Sequence, residues 1–277
     1  MRKFLTVAVA AIVMLGLAQP AGAITKGGEL DEGDHPYVGL MVAKNADGDP
    51  LWRCSGTLIS PLIYVTAGHC TAADTPDDTS DDPVTATIWF ESTLEPTPAD
   101  FGYPFEGPTS VDGTVYTHPL FVDGAFFLYD LGVVVLDEPV VLDEYATLPD
   151  AGYVDTLRKG RSGDQLTAVG YGLQQAKTNP KLADKESALK TRYQADLMIV
   201  NTKGVAGIGK IPGSASMLLS GDAKHGGTCF GDSGGPILDG DTLVAVTSFG
   251  LNGECAGVGG VFRIDRDLEL GWINSFS

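Results

Sequence analysis

Three short stretches carry residue types that could do chemistry together. Gly231-Asp232-Ser233-Gly234-Gly235-Pro236 places a serine hydroxyl on a glycine-rich turn, and Thr66-Ala67-Gly68-His69-Cys70 supplies an imidazole. Leu128 to Leu136 runs Leu-Tyr-Asp-Leu-Gly-Val-Val-Val-Leu, so Asp130 enters a strongly apolar strand. A serine hydroxyl is a weak nucleophile until a base accepts its proton, and histidine is the side chain suited to that near neutral pH. A carboxylate in an apolar strand is costly unless paired, and a histidine N–H is a suitable partner. The glycines around Ser233 let backbone approach a ligand closely and aim consecutive N–H groups at one spot, where a developing oxyanion could rest. Asp123 and Asp137 compete for the carboxylate role, but each reads as a turn or strand-end residue.

Gly-Asp-Ser-Gly-Gly-Pro combined with Thr-Ala-Gly-His-Cys resembles the trypsin/chymotrypsin-like serine protease family. The Asp130 segment is similar to that family's Asp-Ile-Ala-Leu motif, with Gly132 in place of alanine. The order His, Asp, Ser also fits, whereas nucleophile-elbow hydrolases run Ser, Asp, His. The resemblance implies an all-β fold of two six-stranded antiparallel Greek-key barrels with a closing C-terminal helix. It implies a serine endopeptidase with His69 as base, Asp130 fixing its tautomer, Ser233 as nucleophile, and the N–H groups of Gly231 and Ser233 as oxyanion hole. No cofactor or metal is expected, and the partners would be polypeptides. Two other readings keep the fold: a catalytically silent binding protein, and a hydrolase acting mainly on esters.

The elements that must position these groups read as short strands. Alternation and turn residues mark strands over 35–42, 51–59, 62–67, 84–91, 111–118, 131–136, 167–172, 191–202, 243–249 and 259–264. The first barrel is expected over about 28–147 and the second over about 148–265. In the closing segment, about 266–276, Leu268, Trp272 and Ile273 fall at helical spacing. His35 and His118 each precede a proline and read as structural. The polar, lysine-rich 174–188 and the glycine-rich 204–213 read as loops.

Composition limits the partners. The chain has 277 residues, 18 Lys and Arg, and 36 Asp and Glu, for a net charge of −18. That balance argues against nucleic acid and anionic lipid. Asp74, Asp77, Asp78, Asp81 and Asp82 crowd one segment. Their spacing matches no calcium-loop template, and a solvated insertion is expected. Four cysteines allow three pairings, and no CxxC or HExxH spacing points to zinc. The resemblance favours Cys54–Cys70 and Cys229–Cys255. So few disulfides resemble a minimal, bacterial-type member.

The N-terminus reads as an export signal: Arg2 and Lys3, an apolar run from Phe4 to Ala18, then Ala21-Gly22-Ala23. The apolar run is short of the roughly 20 residues of a spanning helix. Cleavage after Ala23 leaves 16 basic and 36 acidic side chains, a charge of −20, and a new end at Ile24-Thr25-Lys26-Gly27-Gly28. That end resembles the Ile-Val-Gly-Gly start of activated family members, whose α-ammonium pairs with the aspartate before the nucleophile, here Asp232. Signal cleavage itself would then make the activating end of a secreted monomer.

For specificity, the family's pocket-base residue, six before the nucleophile, falls on Gly227. With Thr228, Ser248, Phe249, Gly250 and Gly260 it implies an uncharged, roomy slot for a large apolar residue rather than Arg or Lys. Glu254, beside Cys255, could reach the rim of that slot and restore some preference for basic residues.

Overall fold

A computed structural model describes residues 28–72, 82–125, 127–173, 189–204, 215–221, 226–251, 255 and 257–277. The signal segment, Ile24, Asp74 to Asp81, the loop 174–188, most of 204–213 and Glu254 lie outside the described residues.

Among the described residues, two closed barrels and one α-helix make up most of the regular structure, as the resemblance implied. Strands β1 (Glu29–Leu30), β2 (Val38–Lys44), β3 (Pro50–Leu58), β4 (Ile63–Thr66), β5 (Thr85–Trp89), β6 (Val111–Thr117) and β7 (Gly132–Leu136) come first. They are followed by β8 (Gln165–Gly170), β9 (Tyr193–Asn201), β10 (Ser216–Gly221), β11 (Pro236–Asp239), β12 (Thr242–Gly250), β13 (Gly257–Arg263) and helix α1 (Asp267–Asn274). Six strands close the first barrel in the order β2-β3-β4-β7-β6-β5. The second sheet runs β9-β10-β13-β12-β11-β8 and closes through β8–β9, with β1 added on β9. All strand pairs are antiparallel.

The side-chain pattern explains the closure. Along β9, Tyr193, Ala195, Leu197 and Ile199 point inward while alternate residues are half-buried or exposed, the period-2 pattern of a strand with one wet face. They pack with Leu166, Met217, Leu219 and Val244 in the second barrel. The larger core starts in the first barrel at Leu40, Val65 and Val134 and crosses the junction to Val169, Tyr171 and Phe262.

Three strands, β1, β10 and β11, were not expected; β1 has only two residues. Gly221 ends β10 beside glycine-rich sequence, and β11 has only four residues directly after the Ser233 turn. The helix also differs from expectation. Ile273 is buried, but its inward partner one turn earlier is Glu269, while Leu268 is 49% exposed. Burial pushes the Glu269 carboxyl above its ordinary range. His35 and His118 are structural as read. His35 Nδ1 lies 3.4 Å from Asp31, and buried His118 stacks on Tyr129 and meets Trp272 edge-on.

Arg192 ties the barrels together. Its Nε donates to Asp31 Oδ2 at 2.5 Å, and Nη1 donates to the carbonyls of Val38 and Phe90. Asp31 also accepts the N–H groups of Gly33, Asp34 and His35. Both side chains are almost fully buried. Desolvation alone would raise the Asp31 carboxyl, but hydrogen bonding to His35 and the Arg192 charge outweigh it and hold the carboxyl well below its usual range. A depressed carboxyl gives stability that is present above its unfolded value and lost as pH falls toward the folded one. Removing one partner leaves a bare buried charge. Arg192→Met should therefore cost about 3–5 kcal/mol in urea unfolding at pH 7, and adding Asp31→Asn should recover part of it. A cost below about 1 kcal/mol would show the pair to be dispensable.

Candidate active site

Asp130 reaches the site through an unusual backbone. Tyr129, just before it, has φ 53, a left-handed conformation that non-glycine residues rarely adopt. The turn closes with Leu131 N–H donating to the Tyr129 carbonyl at 2.7 Å. The His118 ring stacks on Tyr129 with centroids 5.2 Å apart. β7 then pairs Gly132 with Thr66 at the end of β4, which sets Asp130 against the next turn of chain. That turn is a short 3-10 segment, Gly68–Cys70, which carries His69. Gly132 must be this small: a Cβ there would lie 2.6 Å from the Ala67 carbonyl oxygen and 2.7 Å from Thr71 Oγ1. Cys70 is disulfide-bonded to Cys54 on β3, and Trp52 Nε1 donates to its carbonyl.

Asp130 is fully buried and fully engaged. Its Oδ1 accepts the His69 backbone N–H at 2.9 Å, and His69 Nδ1 lies 3.1 Å from Oδ1 and 3.0 Å from Oδ2. Ser248 Oγ on β12 donates to Oδ2 at 2.5 Å. With carboxylate oxygens facing Nδ1, the ring proton belongs there, which leaves Nε2 as an acceptor. Desolvation favours the neutral ring, but the charge of Asp130 and its hydrogen bond outweigh it, so the His69 pKa is raised.

Ser233 sits on a turn wedged between the barrels. Its carbonyl accepts Ser55 N–H at 2.8 Å, while Ser55 Oγ donates to the Gly231 carbonyl at 2.9 Å and accepts Tyr171 N–H at 3.0 Å. The N–H groups of Asp232, Gly234 and Gly235 are donated to Cys229, Thr247 and Asp232 carbonyls. Those of Gly231 and Ser233 meet no acceptor among the described residues. Gly231 and Gly234 have φ 97 and 76. At Gly234 a Cβ would also fall within 2.0 Å of Thr66 Oγ1 and 2.5 Å of the Ser55 carbonyl oxygen. His69 and Ser233 line one cavity of about 790 Å³, together with Cys54, Arg53, Trp52 and Gly231.

Asp232 points the other way, into protein. Its Oδ1 accepts Gly172 N–H at 2.7 Å and Oδ2 accepts Cys229 N–H at 2.8 Å. Its carboxyl fills the space that a Cβ on Gly170 or Gly172 would need. Burial pushes its pKa up to about 6, against the lowering effect of those N–H groups and of the Arg53 charge.

A second, much smaller void of about 20 Å³ lies against Gly227, Thr228, Gly250 and Gly259, with Leu251 and Val258 beside it. Two expectations change there. The glycine facing Thr228 is Gly259, whereas Gly260 lies under the Phe249 ring. The cause is a register shift between Thr247 and Phe249, which pairs Phe249 with Gly260 and alters which residues share a face. The void is also narrow, about the size of one water. Cys229–Cys255 closes nearby, and Gly227 and Thr228 bring no charge to this wall.

Cys54, His69 and Cys70 cluster closely enough to suggest a metal site, but both sulfurs are spent in the disulfide, leaving no thiolate to ligate. A protein-family model described as Trypsin matches residues 24–265.

The chain belongs to the Trypsin family. Among curated members, a trypsin from Saccharopolyspora erythraea is 28% identical over 86% of this chain and 92% of its own. Phenoloxidase-activating factor 3 from Holotrichia diomphalia is 24% identical over 82% of this chain and 62% of its own length. Among solved structures, the HL collagenase structure aligns with TM-score 0.61 at 20% identity, over 87% of this chain and 92% of that one. Human heparin binding protein aligns at 0.60 and 17%, over 90% and 95%. At such identities these two establish the fold alone.

Within the family frame, three supports escaped the sequence reading. Ser248 was expected to touch substrate, yet its hydroxyl serves Asp130. Ser55 bridges both sides of the Ser233 turn, and Arg53 lies beside Gly231. No local signal marks them, because each acts on residues far away in sequence. The packing at Gly234 yields a prediction. Gly234→Ala should lower the urea midpoint by the equivalent of at least about 2 kcal/mol, and an unchanged midpoint would contradict the close approach described.

Proposed function

We propose that this chain is an exported serine endopeptidase that cleaves polypeptides through an acyl-enzyme on Ser233. The observation that carries the reading is one arrangement. His69, with Nδ1 held by a buried carboxylate, shares a cavity with Ser233, beside two N–H groups that no described residue engages. In this reading His69 Nε2 takes the Ser233 proton as the hydroxyl oxygen attacks the scissile carbonyl carbon. Gly231 and Ser233 N–H hold the oxyanion, and His69 then returns the proton to the leaving amine. Water repeats the sequence to release the acid and regenerate Ser233. Asp130 stabilises the imidazolium formed on the way.

Asp232 supports a role for the N-terminal ammonium. A buried carboxyl raised from 3.8 to about 6 disfavours its charged form by about 3 kcal/mol. Stability from a raised carboxyl is present below its unfolded value and lost as pH rises through about 6. Above that, the site calls for a cation. Leu30 pairs with Tyr193, which also pairs with Gly170, and Gly170 abuts Asp232. Six residues of extended chain reach about 20 Å, so an ammonium on Ile24 is within range. The Arg2-Lys3, Phe4 to Ala18 and Ala21-Gly22-Ala23 pattern supports export with cleavage at that point. Among the described residues no helix is long and apolar enough to cross a membrane. The uncharged wall of Gly227, Thr228, Gly250 and Gly259 supports an apolar rather than basic residue before the scissile bond, and the void must widen to admit a large one.

Intact-mass measurement of the exported protein, with and without a fluorophosphonate, tests the reading. A chain starting at Ile24 that gains one adduct, lost in Ser233→Ala, is expected. An Ile24 chain with no adduct would remove the nucleophile, and a different first residue would remove the activating end. Turnover of peptide anilides should be at least about tenfold faster after Phe or Leu than after Arg. The reverse order would overturn the assignment of the slot. Ester hydrolysis without peptide cleavage would redirect the activity to esters.

A further inference from the structure

The reaction chemistry leaves one charged group unused beside the nucleophile. Cations are scarce on this chain, 18 against 36 acids, yet Arg53 and Lys190 both line the cavity that contains His69 and Ser233. Asp123 is the one carboxylate among the described lining residues, and its Oδ1 accepts the N–H of Gly124 in its own loop. The Lys190 ammonium stands 5.4 Å from the Tyr103 ring centroid, on the same cavity wall. Arg53 is closest to the chemistry. Its Nε and Nη2 lie 3.3 and 3.5 Å from where a Gly231 Cβ would sit. Its Nη1 is buried and meets no hydrogen-bond partner among the described residues. The nearby Asp232 feels the Arg53 charge but does not partner Nη1; its oxygens accept the N–H groups of Gly172 and Cys229. Arg53 as a residue is only half-buried, and a guanidinium on a cavity wall meets a carboxylate in charge-assisted geometry through its accessible N–H groups.

The side of the substrate follows from the two cavities. The narrow slot at Gly227, Thr228, Gly250 and Gly259 shares no lining residue with the large cavity at Arg53. A polypeptide whose acyl side enters the slot must leave Ser233 across the large cavity. One or two residues of extended chain cover about 3.5–7 Å, which suits a guanidinium adjoining Gly231. Building on the peptidase reading above, we infer that Arg53 selects an acidic side chain one or two residues beyond the scissile bond, on the leaving-group side.

Internally quenched peptides with amidated ends, carrying Glu, Gln or Lys at either position, test this. A free-acid version of the Gln peptide separates a terminal carboxylate from a side chain. At one of the two positions, kcat/KM for Glu should exceed that for Gln about tenfold or more, with Lys lowest. Arg53→Gln should bring the Glu-to-Gln ratio close to one, and Arg53→Lys should restore part of it. The ratio is read within each variant, so a change in its overall rate does not enter. Dissociation constants of the same peptides on Ser233→Ala give the ratio independently of cleavage. A Glu preference in binding without any cleavage would sink the peptidase reading and leave the role of Arg53 standing. Equal values for Glu and Gln in the wild type, a preference unmoved in Arg53→Gln, or a preference only for the free-acid end would overturn the inference.

Discussion

Everything at the site depends on one buried charge being satisfied. Asp130 has no solvent to turn to, and it collects the His69 backbone N–H, the His69 ring and the Ser248 hydroxyl. A carboxylate in such surroundings is tolerable only when its partners are held in place beforehand. The surrounding fold does this holding: the left-handed backbone at Tyr129, the pairing of Gly132 with Thr66, and the disulfide that pins Cys70 to β3. Ser248 comes from the second barrel, so Asp130 is satisfied only when the two barrels meet.

The same junction sets the position of Ser233. Ser55, on the first barrel, grips the Ser233 turn through the carbonyls of Ser233 and Gly231, and its hydroxyl also receives Tyr171 N–H from the second barrel. Close approach is possible because Gly170, Gly172 and Gly234 have no side chains where Asp232 and Thr66 need room. Arg192 and Asp31 act at a distance from the chemistry but on the same interface, joining the segment after β1 to the carbonyls of Val38 and Phe90. Barrel packing and site geometry therefore rest on the same contacts.

Much of this was legible in the sequence, for definable reasons. The motifs around His69, Asp130 and Ser233 are local; His69 does meet Asp130 and shares a cavity with Ser233, and both disulfides followed from the family resemblance. Most strands announced themselves by alternation. β11 did not, because four residues next to a glycine-rich turn give too short a pattern. Leu268 misled because helical spacing alone does not say which of two overlapping faces is inward; the packing chose Glu269 and Ile273. Gly260 misled because the register shift in β12 is a property of the pair of strands, not of either sequence. Arg53, Ser55 and the Arg192–Asp31 pair are side chains whose meaning lies entirely in residues distant along the chain.

The most direct measurement of the central claim is a proton and nitrogen NMR titration of His69 in the Ser233→Ala protein. The midpoint should lie above the ordinary histidine value of about 6.5, with the Nδ1 proton retained in the Asp130 hydrogen bond across the titration and the midpoint falling in Asp130→Asn. A midpoint at or below the ordinary value, unmoved by Asp130→Asn, would mean that Asp130 does not govern the imidazole, and the account of the site would fail with it.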